Sequence, residues 1–294
     1  MPELPEVETV RLGLSRYLPG QKVVDVTTAN PKSFPNDGEL VKAKLLGATI
    51  TSVDRRAKVL MIRLSGGHTL LIHLKMTGQL IYRPTRGRGF GGGHPTDSLI
   101  GSLPDRSTRV TIELEKGKLF FNDQRKFGWV KLLPDEQVSK LDFFARVGPE
   151  PLEAGFTFEE FKKRLSRRSR TSIKAAILDQ SVVAGVGNIY ADESLHAARI
   201  HPATLVGEVS TTKLKRLRQS IKDSLQISLD HGGSSDRNYV DADGNKGSYL
   251  KFARVFRREG QPCPDCGAII LKTRVAGRGT HYCPKCQKLP RKKV

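Results

Sequence analysis

Two constellations in this 294-residue chain carry side chains able to do chemistry. The first is the quartet Cys263, Cys266, Cys283 and Cys286, two Cys-x-x-Cys pairs separated by sixteen residues. That spacing lets four thiolates close a tetrahedral Zn²⁺ site while the residues between the pairs form a hairpin. Two disulfides are the alternative, disfavoured because no secretion signal precedes them and a reducing compartment is expected. Four cysteine ligands leave the metal no open position, so one structural zinc is expected and it activates no water. The second constellation is the opening Pro2-Glu3-Leu4-Pro5-Glu6. Prolines and carboxylates there are either the capped start of a helix or reactive groups.

The elements that must hold these groups follow from patterning. Val7, Val10, Leu14 and Leu18 recur at spacings of three and four, an apolar helix face that Gly20 closes. Strands dominate to about Leu133, among them "ATITSVDR", "VLMIRL", "HTLLIHL" and "RVTIELEKGKLFFND", the last a hairpin turned at Lys116-Gly117. This half reads as a β-sandwich or barrel. Residues 83–104, rich in Gly and Pro, interrupt the strand pattern and read as a long mobile loop. From Leu141 the composition turns helical, with a domain boundary near Gly148-Pro149. A capped helix in "FTFEEFKKRL" is followed by short ones in "SIKAAILD" and "ADESLHAARI" and a long one in "STTKLKRLRQSIKDSLQISLD".

Charge narrows the partner. Fifty Lys and Arg against thirty Asp and Glu give a formal +20 and a pI near 10.0, which points to a polyanion, nucleic acid ahead of an anionic membrane surface. The basic residues cluster. Seven fall between Phe161 and Lys174 without an acid, and from Lys251 onward twelve face only Glu259 and Asp265. No apolar run is long enough to span a membrane and no signal peptide is evident, so a soluble cytoplasmic protein is expected. The turn in "VVAGVGNIYADES" is either a plain helix–helix corner or a place where backbone N–H groups and Asn188 meet a phosphate.

Taken together, "PELPEVET", "RRAKVLMIRL", "IHLKMTG", "DQRKFG", "AGVGNIYADE", "RIHP" and "AGRGTHYCPKCQ" resemble the formamidopyrimidine-DNA glycosylases. These are bifunctional base-excision enzymes that remove 8-oxoguanine. The resemblance runs from Pro2 to Gln287 in the family's order. It implies an α+β, two-domain protein: an N-terminal catalytic β-sandwich with flanking helices (1–140), a helical helix-two-turn-helix domain (141–250) and a C-terminal zinc-finger β-hairpin (251–294). Lesion-containing double-stranded DNA would lie between the halves, bound by a monomer on the nucleoid, with no membrane partner.

The resemblance also assigns chemistry. Removal of Met1 would leave Pro2 as a secondary amine, with an ordinary α-amino pKa of about 7.7–8.0 and a useful neutral fraction. Its attack on the deoxyribose C1′ gives an iminium, and β,δ-elimination of the abasic site follows. Glu3 is the expected proton shuttle, Glu6 an orienting or electrostatic group or a helix-dipole partner, and Glu8 a surface residue. Lys58, placed in a strand, matches the lysine that reaches the lesion's phosphates, the alternative being a generic basic residue. Met76, Arg125 and Phe127 match the wedge that fills the gap left by a flipped base, although Met76 and Phe127 alone would read as core. Asn188, Tyr190 and Arg278 complete the DNA contacts, a solvated arginine being the plain reading of Arg278. Two departures qualify the match. Asp105-Arg106-Ser107-Thr108-Arg109 stands where some relatives carry Lys-His-x-His, and the stretch from Gly232 to Phe252 diverges. Two other functions compete: a sister glycosylase for oxidised pyrimidines, disfavoured by Leu4, and a non-catalytic zinc-finger DNA-binding relative, disfavoured by intact Pro2, Glu3 and Lys58.

Overall fold

The computed structural model describes residues 2–94, 96–234 and 248–290. They fall into two compact units, one of the described residues up to 145 with 231–234 and 248, the other of residues 146–230 with 249–290. The first unit contains α1 (Leu4–Ser15), β1 (Val23–Thr28), α2 (Gly38–Leu45), β2 (Ile50–Arg56), β3 (Val59–Leu64), β4 (His68–His73), β5 (Gly78–Pro84), β6 (Phe90–Gly93), β7 (Thr108–Leu114), β8 (Gly117–Asp123), β9 (Trp129–Pro134), α3 (Asp135–Val138) and α4 (Asp142–Arg146), which ends at the boundary. The second contains α5 (Phe158–Ser166), α6 (Ile173–Leu178), α7 (Asn188–Ala197), α8 (Thr211–Asp230), β10 (Leu271–Val275) and β11 (Arg278–Tyr282).

In the first unit two antiparallel sheets, of strand order β1-β7-β8-β5-β6 and β2-β3-β4-β9, share one core. The period-2 pattern of β7 turns Val110, Ile112 and Leu114 inward. They join Val53, Leu60, Ile62, Leu70, Ile72, Val130 and Leu132 of the other sheet. The expected sandwich therefore forms, and Val7, Val10 and Leu14 fix α1 to the same core.

Residues 83–104 differ from the loop expected. β6 pairs antiparallel with β5, Tyr82 opposite Phe90 and Gln79 opposite Gly93. Its glycines provide close approach. A Cβ on Gly13 of α1 would lie 2.1 Å from the Phe90 ring, and one on Gly92 would lie 2.7 Å from Val10. Glycine content that by propensity argues for a loop serves here to pack an edge strand under a helix.

In the second unit the capped helix expected in "FTFEEFKKRL" forms as α5, and α6 has a cap of the same kind. The Thr157 hydroxyl accepts from Glu160 N–H at 3.2 Å and that of Ser172 from Ala175 N–H at 3.4 Å. α8 buries Leu214, Leu217, Ile221 and Leu225 as one stripe. β10 and β11 form a hairpin through Ala276 and Gly277, both with positive φ (48° and 74°), as a type I′ turn requires. Among the described residues no helix is long and apolar enough to cross a membrane. The divergent stretch noted after Gly232 falls largely on 235–247, outside the described residues.

Candidate functional site

Pro2 is buried directly before α1, and Glu3, 3% exposed, occupies the N-cap position with extended backbone. Glu6 holds that backbone in place. Its Oε2 accepts from Glu3 N–H and its Oε1 from Ser234 N–H, both at 2.8 Å. The first of these is the carboxylate half of a capping box. Glu8 is not the plain surface residue expected, because it binds Arg11 at 2.7 Å and Arg55 at 2.8 Å. Burial works to raise its pKa, but hydrogen bonds from Arg11 and Arg55 and their charges bring it below the ordinary carboxylate range.

Lys58 lies in the tight turn between β2 and β3 rather than in a strand, follows Ala57 at φ 52°, and is buried. His73, at the end of β4, has its pKa pushed down to about 3, first by burial and then by the charges of Lys75 and Lys58. Its Nδ1 accepts from Lys75 N–H at 2.9 Å, which places the neutral ring's proton on Nε2.

Two short loops, one after β4 and one after β8, are tied at one buried carboxylate. Lys75, at φ 51°, opens the turn that carries Met76, and Lys126, at φ 59°, separates Arg125 from Phe127. The Thr77 hydroxyl donates to Asp123, whose side chain accepts Arg125 N–H at 3.2 Å and Gly128 N–H at 2.7 Å. Asp123 is fully buried. The Arg125 guanidinium lies 4.8 Å from the Phe127 ring centroid, and Phe127 is 53% exposed, so its alternative as a core residue fails. The sequence alone points to no role for His73 or Asp123. The available signal was their place inside "IHLKMTG" and "DQRKFG", beside residues that were assigned.

In the second unit, Asn188 opens α7 and its Nδ2 donates to the Gly279 carbonyl at 3.1 Å. The same carbonyl accepts from Lys174 Nζ at 3.0 Å. Lys174 belongs to the basic run that suggested a polyanion surface, yet it is wholly buried. It donates to Thr280 Oγ1 and forms an ion pair with Asp192 Oδ1, both at 2.7 Å. Asp192 Oδ2 in turn accepts His281 N–H at 2.9 Å. These contacts fix the start of β11, where Arg278 stands exposed after the Ala276-Gly277 turn. Tyr190, read as a DNA contact, is instead fully buried. Its hydroxyl is 2.5 Å from Ser228 and its ring 5.2 Å from that of Tyr249, so its side chain packs α7 against α8.

The Sγ atoms of Cys263, Cys266, Cys283 and Cys286 lie within 4.8 Å of one another, and none is in a disulfide. The Cys266–Cys283 and Cys263–Cys286 separations are 3.4 and 4.0 Å. A zinc tetrahedron with bonds of about 2.3 Å has sulfur–sulfur edges of roughly 3.8 Å, so the quartet fits one structural zinc.

Residues 1–130 match the family model of the formamidopyrimidine-DNA glycosylase N-terminal domain, residues 147–239 that of its H2TH domain, and residues 260–289 the zinc finger found in FPG and IleRS. The formamidopyrimidine-DNA glycosylase of Pelotomaculum thermopropionicum is 43% identical over 292 residues, covering 98% of this chain and 100% of the relative. That of Desulforamulus reducens is 40% identical, covering 98% and 99%. A solved complex of a Lactococcus lactis FPG mutant with Fapy-dG-containing DNA superposes with a TM-score of 0.87 at 34% identity, covering 98% of this chain and 100% of that one. The Lactococcus lactis Fpg complex with abasic-site DNA gives 0.86 at 35%, covering 97% and 99%. With three family models in order and relatives this similar along their full length, the chain belongs to the formamidopyrimidine-DNA glycosylase family.

Proposed function

We infer that this chain is a bifunctional DNA repair enzyme that excises oxidised purines, 8-oxoguanine and formamidopyrimidines, from duplex DNA and then cleaves the abasic site as a lyase. The observation that carries the reading is the start of α1, where Pro2 is buried beside Glu3 and the Glu3 backbone is gripped by Glu6. After Met1 is removed, the Pro2 amine attacks C1′ while the base departs with a proton. Glu3 relays the amine's proton to the ring oxygen O4′, the C1′–O4′ bond opens, and the secondary amine is left as a cationic iminium. That cation acidifies the adjacent sugar protons, and successive β- and δ-elimination expel the 3′ and 5′ phosphates. Glu3 is the carboxylate placed to give and retrieve these protons, whereas Glu6, with both oxygens on backbone amides, is a positioning group.

The target base must leave the stack to reach Pro2. Met76, Arg125 and Phe127, on loops joined at Asp123, fill the gap with an apolar thioether, a planar cation and a ring. Lys58, Asn188 and Arg278 take the phosphates, and zinc on the four cysteines supplies rigidity to the hairpin that presents Arg278. This division of labour follows a catalytic part (1–140), a helical DNA-binding part (141–250) and a zinc finger (251–294), in an enzyme that works as a monomer on the nucleoid in the cytoplasm. Solved relatives hold DNA with Fapy-dG, an abasic site and carbocyclic 8-oxo-G. One holds oxidised-pyrimidine DNA, which keeps activity on oxidised pyrimidines as the second reading.

Borohydride reduction tests the chemistry. The protein with Met1 removed should trap an 8-oxoguanine duplex as a covalent adduct through its N-terminus. Equal trapping by a form with a blocked terminus rules out the Pro2 amine, and faster excision of thymine glycol than of 8-oxoguanine moves the substrate assignment to pyrimidines.

A further inference from the structure

α7 meets the zinc-finger segment through three inward side chains. Asp192 accepts from His281 N–H, and Glu193 accepts the amides of Arg254, Val255 and Phe256 at 2.8, 3.0 and 2.7 Å. One turn later, His196 brings its Nε2 to 3.4 Å from the Sγ of Cys263. The first two contacts satisfy backbone donors that burial would otherwise leave costly. The third needs a different account. His196 is wholly buried, and its Nδ1 has no hydrogen-bond partner among the described residues, so the cysteine sulfur is the ring's one hydrogen-bonding contact among them. An apolar side chain of similar size would fill the space without a polar atom to satisfy.

We propose that His196 is an outer-sphere partner of the structural zinc, its Nε2–H donating to the Cys263 thiolate without binding the metal. The proposal rests on the reading that the four cysteines hold zinc. A thiolate ligand keeps much of its negative charge, and a buried N–H aimed at it offsets that charge and fixes the sulfur's direction. Four sulfurs already close the tetrahedron, so the nitrogen is excess to coordination and its distance is that of a hydrogen bond to sulfur. The consequence reaches beyond the hairpin. His196 stands on the helix that Asn188 opens, so the metal site is bonded to the element that presents the phosphate-facing asparagine.

The test uses the full chain loaded with zinc, and two variants. His196→Phe keeps a planar ring but has no N–H, whereas His196→Gln returns an amide N–H near the position of Nε2. Zinc transfer to excess chelator should be about tenfold faster in the Phe variant and close to wild type in the Gln variant. With cobalt in place of zinc, the wild type should show the charge-transfer bands of four thiolates. Equal transfer rates in all three proteins overturn the proposal, and so does a wild-type cobalt spectrum of three thiolates and one imidazole. Should the Phe variant fail to fold, a long-range proton–nitrogen spectrum of histidine-labelled wild type decides. A protonated Nε2 on His196 supports the bond, and a bare Nε2 removes it. A wild-type protein that retains no zinc would refute the metal reading itself, a result distinct from each of these.

Discussion

The two units hold their candidate functional side chains by different physics. In the first, each such residue on the sheet adjoins a non-glycine residue in the left-handed region: Ala57 before Lys58, Lys75 before Met76, and Lys126 between Arg125 and Phe127. Conformations of that kind cost about 1–2 kcal/mol each and persist only where neighbours over-determine them. Here the braces are Arg55 Nη1 on the Ala57 carbonyl at 2.8 Å, His73 on Lys75 N–H, and Asp123 on the 125–128 backbone. In the second unit a buried charge network takes that part, with Lys174, Asp192 and the 279–281 backbone joining three stretches distant in sequence. Strained turns aim a side chain a few ångströms off a strand end. Buried ion pairs fasten elements that no turn connects.

The sharpest way to break this comparison is Asp192→Ala. It removes the Asp192 charge paired with fully buried Lys174, a defect of a kind that costs about 3–5 kcal/mol. Calorimetry should show the melting of the second unit lowered by that amount and the first unit's transition in place. A loss below about 1 kcal/mol would mean that the ion pair is incidental to the fold. Next in size is Gly13→Ala in the first unit, where the new Cβ would meet the Phe90 ring at 2.1 Å. Overpacking of this kind costs up to about 3 kcal/mol. Because α1 carries Pro2 and Glu3, borohydride trapping should fall along with the denaturant midpoint. An unchanged midpoint would show that β6 does not press on α1.

Much of this arrangement is legible in the sequence, and what is not has a physical reason. The cysteine spacing, the capped helix that starts at Thr157 and the period-2 strands depend on near neighbours, and all are found. β6 is hidden because "GFGGG" carries a loop's composition, and only the packing against Gly13 and Val10 reveals why glycine is needed. Lys174 and Tyr190 mislead for the opposite reason. A lysine in a basic run and a tyrosine beside Asn188 look like surface groups, and their burial depends on Asp192 and Ser228, eighteen and thirty-eight residues away. Asp123 and His73 carry no spacing signature of their own, because their roles arise from loops that only the sheet brings together.

His73 gives a pH-dependent effect of middle size. Its folded-state pKa of about 3 lies below the ordinary histidine value of about 6.5, so the unfolded chain binds a proton first as pH falls. Stability is full above about pH 6.5 and declines as pH drops towards 3, by about 2 kcal/mol at pH 5 from this residue alone. Comparing urea midpoints at about pH 8 and pH 5 in wild type and His73→Gln isolates the term. The wild type should lose about 2 kcal/mol more than the variant on acidification. Parallel losses would place the histidine in a wetter setting than its burial beside Lys58 and Lys75 implies.

The smallest expected change in stability is the most direct probe of the first unit's strategy. Ala57→Gly removes a Cβ from a residue at φ 52° and relieves about 1–2 kcal/mol of left-handed strain. It also gives the unfolded chain more freedom, at a cost of about 0.5–1 kcal/mol, so the protein should be as stable as wild type or more stable by up to about 1.5 kcal/mol. The turn that aims Lys58 becomes permissive while the lysine and its charge remain. If strain is retained there for positioning, the variant should keep the wild-type salt dependence of DNA binding and lose single-turnover excision rate, a separation that simple loss of charge would not give. A clear fall in stability would mean that Ala57 is not strained. An unchanged rate would mean that Lys58 is held by its burial and its other neighbours, and that the turn's backbone contributes nothing to the reaction.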